Sequence, residues 1–183
     1  VQSTAHLGGG VSDARFIAAV QESAAQIAKQ FEAALASGQM SISRLFDTNY
    51  RLIPGTNPEQ FLTEATGFLD RILPPIQEPA LALDPLVIFC AAVDRNGYLP
   101  THNLKFSKPP SDDPVWNMAN CRNRRIFNDR VGSKAGKNTD PFLLQVYRRD
   151  MGGGQFKMMK DLSAPIIVQG RHWGGLRLAY AFE

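Results

Sequence analysis

Apolar residues recur alternately three and four positions apart between residues 13 and 36, a stretch with neither proline nor glycine. Residues with this spacing share one face of a helix, so the pattern predicts an amphipathic helix. Ser12 or Asp13 is the expected N-cap, and Gly38 is the expected C-cap. The apolar face comprises Ile17, Val20, Ala24, Ile27, Phe31 and Ala34.

Two interpretations of this apolar face stay open. Alternating three-four spacing over about three heptads is typical of a seam that packs along a second helix, as in a dimer. The alternative is that the helix lies on a sheet of its own domain. The pattern favours neither interpretation.

Residues 37–84 predict shorter helices and turns. The segment 41–55 predicts a short helix followed by a turn at Pro54 and Gly55. Residues 76–85 are spaced by prolines and predict a connector to the next element.

The segment 56–75 carries the start and stop signals of a helix. Asn57 is the expected N-cap, Pro58 occupies the first helical position, and Gln60 completes a capping box. Two consecutive prolines close the segment and are expected to stop the helix.

Residues 86–93, LVIFCAAV, form an apolar run rich in residues that favour strands. An Asn96–Gly97 turn and a second short run follow. This pattern predicts a β-hairpin whose first strand lies centrally in a sheet.

Asp113 and Pro114 repeat the start signals of a helix, which we expect to run to about Asn128. Three strand-like runs follow, separated by glycine-containing turns. They cover residues 141–150, 154–170 and 172–182.

Together these elements predict an α+β fold. Its antiparallel sheet has about five strands in the order 2-1-5-4-3, with a long N-terminal helix and inserted helices. The predicted organisation is a flexible tail (1–12), the long helix (13–36), a helical and connector segment (37–84) and the sheet domain (85–183).

The sequence RRDMGGGQFKMMKD, residues 148–161, raises the question of a phosphate-binding loop. Such a loop lies between a strand and a helix N-terminus. Because strand-like runs flank this one on both sides, Met151–Gly154 is predicted to be a hairpin tip. Gly174 and Gly175 lie early in a strand and predict a bulge or a close backbone approach.

Composition adds few constraints. The 183 residues are 44% hydrophobic, enough for one core. The net charge of +3 is too small to predict nucleic acid or an anionic membrane as a partner. No apolar run approaches the length of a membrane span, and the first residues lack the pattern of a signal peptide, so direct membrane insertion is not expected.

Four blocks of the C-terminal half form a recognisable pattern: NGYLPTHNLKFS, NRRIFNDR, NTDPFLLQVYRRDMGGGQFKMMKDLSAPI and GRHWGGLR. With these blocks the chain resembles a Cache-type, PAS-like sensor domain, as found in some bacterial methyl-accepting chemotaxis proteins. The resemblance covers residues 85–182 and implies a ligand-sensing module, attached to chemoreceptor signalling helices and commonly dimeric through its long N-terminal helix. The pattern by which amino-acid-sensing Cache domains hold their ligand is not found here.

A PAS-like sheet binds ligands between its concave face and the inserted helices, so polar side chains there are candidates. Arg122 and Arg125 are three apart on the predicted helix and share a face, while Arg124 lies elsewhere. Two guanidinium groups in a pocket clamp a carboxylate or phosphate. The alternative, slightly favoured, is a solvated basic helix end.

On the later strands, Gln145 and Tyr147 share a face and are expected to point together at a bound molecule. Across the glycine turn, Met158 and Lys160 belong to a mixed apolar and basic face. The alternative for Lys160 and Asp161 is pairing with charges on a neighbouring strand.

The remaining candidate ligand-binding residues are His102, after the second strand, and Trp173, which belongs to the core or to a pocket wall. With His6 and His172 the chain has three histidines, without cysteines or carboxylates at metal-ligand spacing, so no metal site is predicted. No C-x-x-C-H haem attachment occurs. By analogy with PAS-like folds, one buried histidine as a haem ligand is an alternative to an ordinary hydrogen-bonded histidine.

Cys90 lies in an apolar run and Cys121 in a polar, arginine-rich stretch, so both are predicted to be free thiols. Unpaired thiols favour a cytoplasmic location, with the periplasm as the alternative because many Cache domains face it. No nucleophile elbow or paired carboxylate motif occurs, and Cys121 is predicted to lie mid-helix, so no enzyme activity is expected.

The leading hypothesis is a sensory module that binds a small molecule or partner and signals through its N-terminal helix. Two other classes compete with it. One is a basic nucleic-acid module built on residues 120–130 with Lys134 and Lys137. The other is a structural dimerisation domain without a pocket.

Overall fold

The computed structural model describes residues 4–6, 11–152 and 154–182. The chain forms an α+β fold with a long N-terminal helix packed on an antiparallel sheet. The helices are α1 (Val11–Ser37), α2 (Ile42–Leu45), α3 (Thr66–Ile72), α4 (Pro74–Gln77), α5 (Pro114–Asn120) and α6 (Arg130–Lys137). The strands are β1 (Thr4–His6), β2 (Arg51–Leu52), β3 (Phe61–Leu62), β4 (Val87–Asp94), β5 (Tyr98–Leu99), β6 (Arg125–Ile126), β7 (Leu143–Gly152), β8 (Gln155–Val168) and β9 (Arg171–Phe182).

Four long strands build the main sheet in the order β7-β8-β9-β4, all antiparallel. Their relative order is the one expected for predicted strands 3, 4, 5 and 1. The short strand β1, within the expected N-terminal tail, pairs with β7 at the edge. The main sheet therefore has a different edge strand from the predicted order.

The predicted second strand of the sheet is wrong. The chain does turn after β4, with Gly97 at a φ of +85°, but β5 pairs with β6 in a separate two-stranded sheet. The Asp94 carboxylate accepts hydrogen bonds from the backbone N–H groups of Asn96 and Tyr98. The Tyr98 hydroxyl donates to the Phe61 carbonyl at 2.7 Å, which holds β5 away from the sheet.

Helix α1 confirms the long N-terminal helix, and Gly38 follows it with the expected positive φ of +80°. It begins at Val11, with Asp13 in its first turn. Its predicted apolar face lies on the main sheet: Val20, Ile27 and Phe31 are fully buried in the core. The intramolecular interpretation of this face is therefore correct, and these side chains are not available to a second helix.

The predicted helix over residues 57–73 is wrong in its first half. Phe61 and Leu62 form a strand instead, and only Thr66–Ile72 is helical. Gln60 donates from its side chain to the Asn123 carbonyl at 3.0 Å, a tertiary contact that replaces the expected capping box. Helix α3 ends at Ile72, ahead of the two prolines as expected, and a separate short helix, α4, begins at Pro74.

The predicted helix over residues 114–128 is wrong in its second half. Asp113 caps α5 as expected, accepting from the N–H groups of Val115 and Trp116. The helix ends at Asn120, and Arg124 has a φ of +64°, which a helix does not allow. Residues 121–129, the arginine-bearing loop with the two-residue strand β6 inside it, and the unpredicted helix α6 then cross the sheet face opposite α1.

Both glycine predictions agree with the structure. β7 and β8 pair up to Gly152 and Gln155, and Gly154 has a φ of +77°, so the run is a hairpin tip; Gly153 lies outside the described residues. A Cβ on Gly174 would lie 2.0 Å from the Val93 carbonyl oxygen, a close backbone approach. None of the helices in the described ranges has the length and apolar character of a membrane span.

Candidate functional site

A cavity of about 660 Å³ lies between the main sheet and the segment from α5 to α6. It is on the sheet face opposite α1, and its volume is in the range of small-molecule sites. Its apolar walls come from Ile88, Phe89, Leu99, Phe106, Phe127 and Val131, and its polar groups include His102, Arg122, Asp129, Tyr147, Arg149 and Arg177.

Strand β9 presents different side chains to the two faces of the sheet. Leu176, Leu178 and Tyr180 point towards α1 and fill the main core. On the other face, Arg177 lines the cavity, while Ala179 and Ala181 pack in a small apolar cluster beside it. Neighbouring residues of a strand point to opposite faces, so one strand contributes to both the core and the cavity.

Arg177 lies in the floor of the cavity and is paired with Asp161 on the neighbouring strand. Its Nη2 lies 2.7 Å from Asp161 Oδ2, and its Nε lies 3.1 Å from the same oxygen. The side chains of Arg177 and Asp161 are 8% and 0% exposed. Because water does not solvate these charges, each one is compensated by the other. Burial lowers the pKa of Arg177, but the Asp161 carboxylate outweighs burial and raises it above its ordinary value.

Arg122 and Arg125 project from the 121–129 loop and meet at one aromatic ring. Their guanidinium carbons lie 5.0 and 4.7 Å from the centroid of Phe127. Both donate to the Met118 carbonyl, Arg122 at 2.8 Å and Arg125 at 3.4 Å. Neither forms an ion pair with an acidic side chain among the described residues.

The positive charges at the cavity act on one another. Burial, and then the charges of Arg125, Arg149 and Arg177, lower the pKa of Arg122 to about 10. Arg122 is still protonated at neutral pH, but its charged form is less stable than in water. Among the described residues, the cavity lining therefore carries more positive than negative side chains.

His102 lies in the cavity wall between two aromatic rings, with centroid distances of 5.2 Å to Phe89 and 4.9 Å to Phe106. The Asn103 N–H donates to its Nδ1 at 2.8 Å. Burial, followed by the positive charges of Arg122 and Arg177, lowers its pKa well below the ordinary value. The ring is therefore neutral, and with Nδ1 as acceptor the proton is on Nε2.

A dense set of contacts holds the arginine-bearing loop. Arg124 forms a bidentate ion pair with Asp70, at 3.1 and 2.9 Å, and also donates to the Pro100 carbonyl. Its backbone N–H donates to the Leu99 carbonyl, while its own carbonyl accepts from Phe61. Arg124 points away from the cavity and orients the loop that carries Arg122 and Arg125.

Three predicted site residues, His102, Arg122 and Tyr147, line the cavity, and Arg125 lies beside it. Gln145 is fully buried on the same sheet face, outside the cavity lining. It donates to the Val131 carbonyl at 3.0 Å and so ties β7 to α6. Its Oε1 is buried without a hydrogen-bond partner among the described residues.

The other three predicted site residues lie elsewhere, which corrects their grouping with the pocket. Met158 and Lys160 point to the α1 side of β8, with Met158 partly exposed and Lys160 bound to Asp13 at 2.7 Å. Trp173 belongs to the core: its indole N–H donates to the Leu45 carbonyl, and its ring packs against Phe31. Strand alternation separates these residues from the cavity.

Sequence reasoning missed Arg149 and Arg177 as cavity residues and Arg124 as an anchor. Alternation along β9 and β7 contains the signal for the first two, since Arg177 shares a face with Ala179, and Arg149 shares a face with Tyr147. No local signal identifies Arg124, whose partner Asp70 is 54 residues away.

A second cavity, of about 340 Å³, lies on the other face of the sheet between α1 and residues 75–83. It lacks a cluster of charged groups, and Cys90 at its base has a pKa raised to about 12 by burial. Both cysteines are free and buried. In the described ranges, no group of three or more His, Cys, Asp or Glu residues is placed to hold a metal ion.

Comparisons of the chain with protein-family models, curated proteins and solved structures found no match.

Proposed function

We propose that the chain is a Cache-type, PAS-like sensory module of a bacterial chemoreceptor, which binds a small molecule in the 660 Å³ cavity and signals through α1. One observation carries the proposal. Lys160 and Asp161, consecutive residues of β8, face opposite sides of the sheet and contact α1 and Arg177 respectively. Strands β8 and β9 thus connect the cavity to α1.

On the helix side, the contacts converge at the first turn of α1. Asp13 accepts from Lys160 at 2.7 Å and from the Tyr180 hydroxyl at 2.8 Å. Phe16 stacks on the Tyr180 ring at a centroid distance of 4.1 Å. A ligand that displaces Arg177 relative to Asp161 would move β9 relative to β8, and this movement reaches Asp13 through Tyr180 and Lys160.

Such a ligand shifts the output only by the difference between its affinities for two states of the sheet and helix. The proposed partners are chemoreceptor signalling helices and a second copy of the chain, which would contact another surface than the buried face of α1. Two buried free thiols support a cytoplasmic location.

A binding role is favoured over catalysis, because burial raises the pKa of both thiols and the described cavity residues lack a paired nucleophile and base. A nucleic-acid module is less well supported, since Arg122 faces the cavity and Arg124 is paired with Asp70. A structural dimerisation domain would need neither the cavity nor its charges.

The test of the proposal is a ligand search with a blocked cavity as control. Native mass spectrometry of the purified protein, followed by a thermal-shift screen of metabolites, should identify a molecule that raises the Tm. Ala119→Trp should abolish the shift, because Ala119 lines the cavity and lies on the exposed side of α5. Ala18→Trp, at an exposed position of α1, should retain it.

Signalling is tested by amide hydrogen exchange in the first turns of α1, with and without the molecule found. We expect ligand-dependent exchange in the wild type and a smaller effect in Lys160→Met, which lacks the contact to Asp13. The proposal is wrong if no metabolite binds, or if a bound metabolite leaves exchange in α1 unchanged.

A further inference from the structure

We infer that the ligand of the 660 Å³ cavity is an organic anion, with one acidic group carried on an apolar body about the size of an aromatic ring. The inference rests on the proposed function and specifies the chemical class of its ligand. The charges around the cavity determine the acidic group, and the aromatic walls determine the body.

The count of charges at the cavity leaves a positive excess. Arg122, Arg148, Arg149 and Arg177 line it, and Asp129 is the acidic residue of the lining. The Asp161 carboxylate beneath it is occupied by Arg177, and the Asp129 carboxylate accepts from the Gly132 N–H at the start of α6.

Arg122 and Arg149 have no ion pair with a carboxylate among the described residues. Arg122 is also partly buried, so its charge is incompletely solvated. An anionic group beside it would supply the missing compensation. Arginine donors arranged around a cavity bind carboxylate and phosphate groups with paired hydrogen bonds.

The rest of the wall excludes a bare inorganic ion as the best ligand. Phe89, Phe106 and Phe127 present aromatic surface, and Leu99 adds aliphatic surface. A phosphate ion would leave this surface in contact with water, whereas a ring-sized apolar body would cover it and gain hydrophobic free energy. The neutral His102 offers an Nε2–H donor within the same wall.

Four probes separate charge from shape. Benzoate and phenyl phosphate carry a ring and an acidic group, benzamide carries the ring without the charge, and inorganic phosphate carries the charge without the ring. Binding is measured by calorimetry at constant ionic strength. We expect benzoate or phenyl phosphate to bind at least about tenfold more tightly than both benzamide and inorganic phosphate, and the stronger of the two identifies the acidic group.

Two variants test the role of the arginines. Arg122→Gln should lose most of the preference for the anion over benzamide, and Arg149→Gln, at an exposed position, should reduce it without affecting folding. Arg71→Gln is the control: this exposed arginine of α3 lies outside the cavity lining and should bind as the wild type does.

Benzamide or inorganic phosphate binding as tightly as the stronger of the two aromatic anions, absence of saturable binding by both aromatic anions, or an unchanged preference in Arg122→Gln and Arg149→Gln would overturn the inference. A neutral metabolite found in the cavity would also overturn it while leaving the sensory function standing. Anion binding that does not alter hydrogen exchange in α1 would support the inference about the ligand and contradict signalling through α1.

Discussion

Asp161 and Arg177 form an ion pair across β8 and β9, with Arg177 Nη2 2.7 Å from Asp161 Oδ2, in the floor of the cavity. Asp161 is completely buried and Arg177 nearly so. We expect Asp161→Asn to lower the free energy of unfolding by about 3–5 kcal/mol, because it leaves the guanidinium without a compensating charge. Urea unfolding with comparison of the midpoints measures this loss.

Asp112→Asn is the matched control, since Asp112 is exposed and should change stability by less than about 0.5 kcal/mol. The double variant Asp161→Leu with Arg177→Met should be more stable than Asp161→Asn alone, because it removes both charges. Equal stability of Asp161→Asn and the control would show that the Asp161 carboxylate does not stabilise the fold by compensating Arg177.

Gly174 lies so close to β4 that no side chain fits. A Cβ there would meet the Val93 carbonyl oxygen at 2.0 Å and Asp94 Cα at 2.6 Å, both backbone atoms. Gly174→Ala should therefore separate β4 from β9 and lower the free energy of unfolding by more than about 4 kcal/mol, an exceptional value for one methyl group. Thermal and urea unfolding both report the change.

Gly67→Ala is the corresponding control in α3. Gly67 is exposed, and a Cβ there has no neighbour within 4 Å. Since alanine favours a helix over glycine, the substitution should stabilise the protein by up to about 1 kcal/mol. A result of the same sign for Gly174→Ala would contradict the close approach of the two strands.

The Arg124–Asp70 ion pair should keep the arginine-bearing loop ordered but contribute little to the free energy of unfolding of the whole protein. Arg124→Lys cannot form the bidentate pair, and because both side chains are partly exposed we expect a loss of about 1 kcal/mol or less. The amides of Arg124 and Phe127, bonded to the Leu99 and Gly97 carbonyls, should exchange faster.

Arg71→Lys is the neighbouring control, because Arg71 is exposed and its side chain donates within its own helix, to the Gly67 carbonyl. It should leave exchange in the loop unchanged. If Arg124→Lys and Arg71→Lys give the same exchange rates, the ion pair does not order the loop.

His102 should make stability depend on pH. Burial and the nearby charges of Arg122, Arg177, Arg125 and Lys105 lower its pKa in the folded state. As pH falls below about 6.5, the unfolded chain binds a proton that the folded chain does not, so stability falls by up to about 1.4 kcal/mol per pH unit. Above the pKa that His102 has in the unfolded chain, this loss of stability is absent.

Urea unfolding at about pH 7.5 and about pH 5.5, with His102→Gln beside the wild type, isolates this contribution. His172 needs its own control, His172→Gln, because burial also lowers its pKa. The loss on acidification should be smaller in His102→Gln than in the wild type. The same loss in both proteins would assign the pH dependence to other groups.

Whether the sequence predicts a helix correctly depends on whether the residues that signal it form the expected local contacts or bond to distant residues instead. The apolar face of α1 repeats over 27 residues, so no single tertiary contact can cancel it. The helix start at Asn57 relied on a few polar side chains, and the Gln60 amide forms a tertiary hydrogen bond with Asn123 instead. Caps are local preferences worth about 1 kcal/mol each, which one tertiary hydrogen bond can offset.

Prediction of the candidate site from the sequence is limited in the same way. Arg122 and Arg125 were placed together through helical spacing, yet the structure joins them through a loop in which Arg124 takes a left-handed conformation. Which charges line the cavity depends on strand pairing.

The sequence alone predicts the long helix, the three C-terminal strands and the hairpin at the glycine run. These depend on periodicity and on backbone conformation, which neighbouring residues determine. Tertiary structure decided that α1 covers its own sheet, that β5 leaves that sheet, and that Asp161 and Lys160 find Arg177 and Asp13 on opposite faces. These pairings join residues up to 147 positions apart, and local preference contains no information about them.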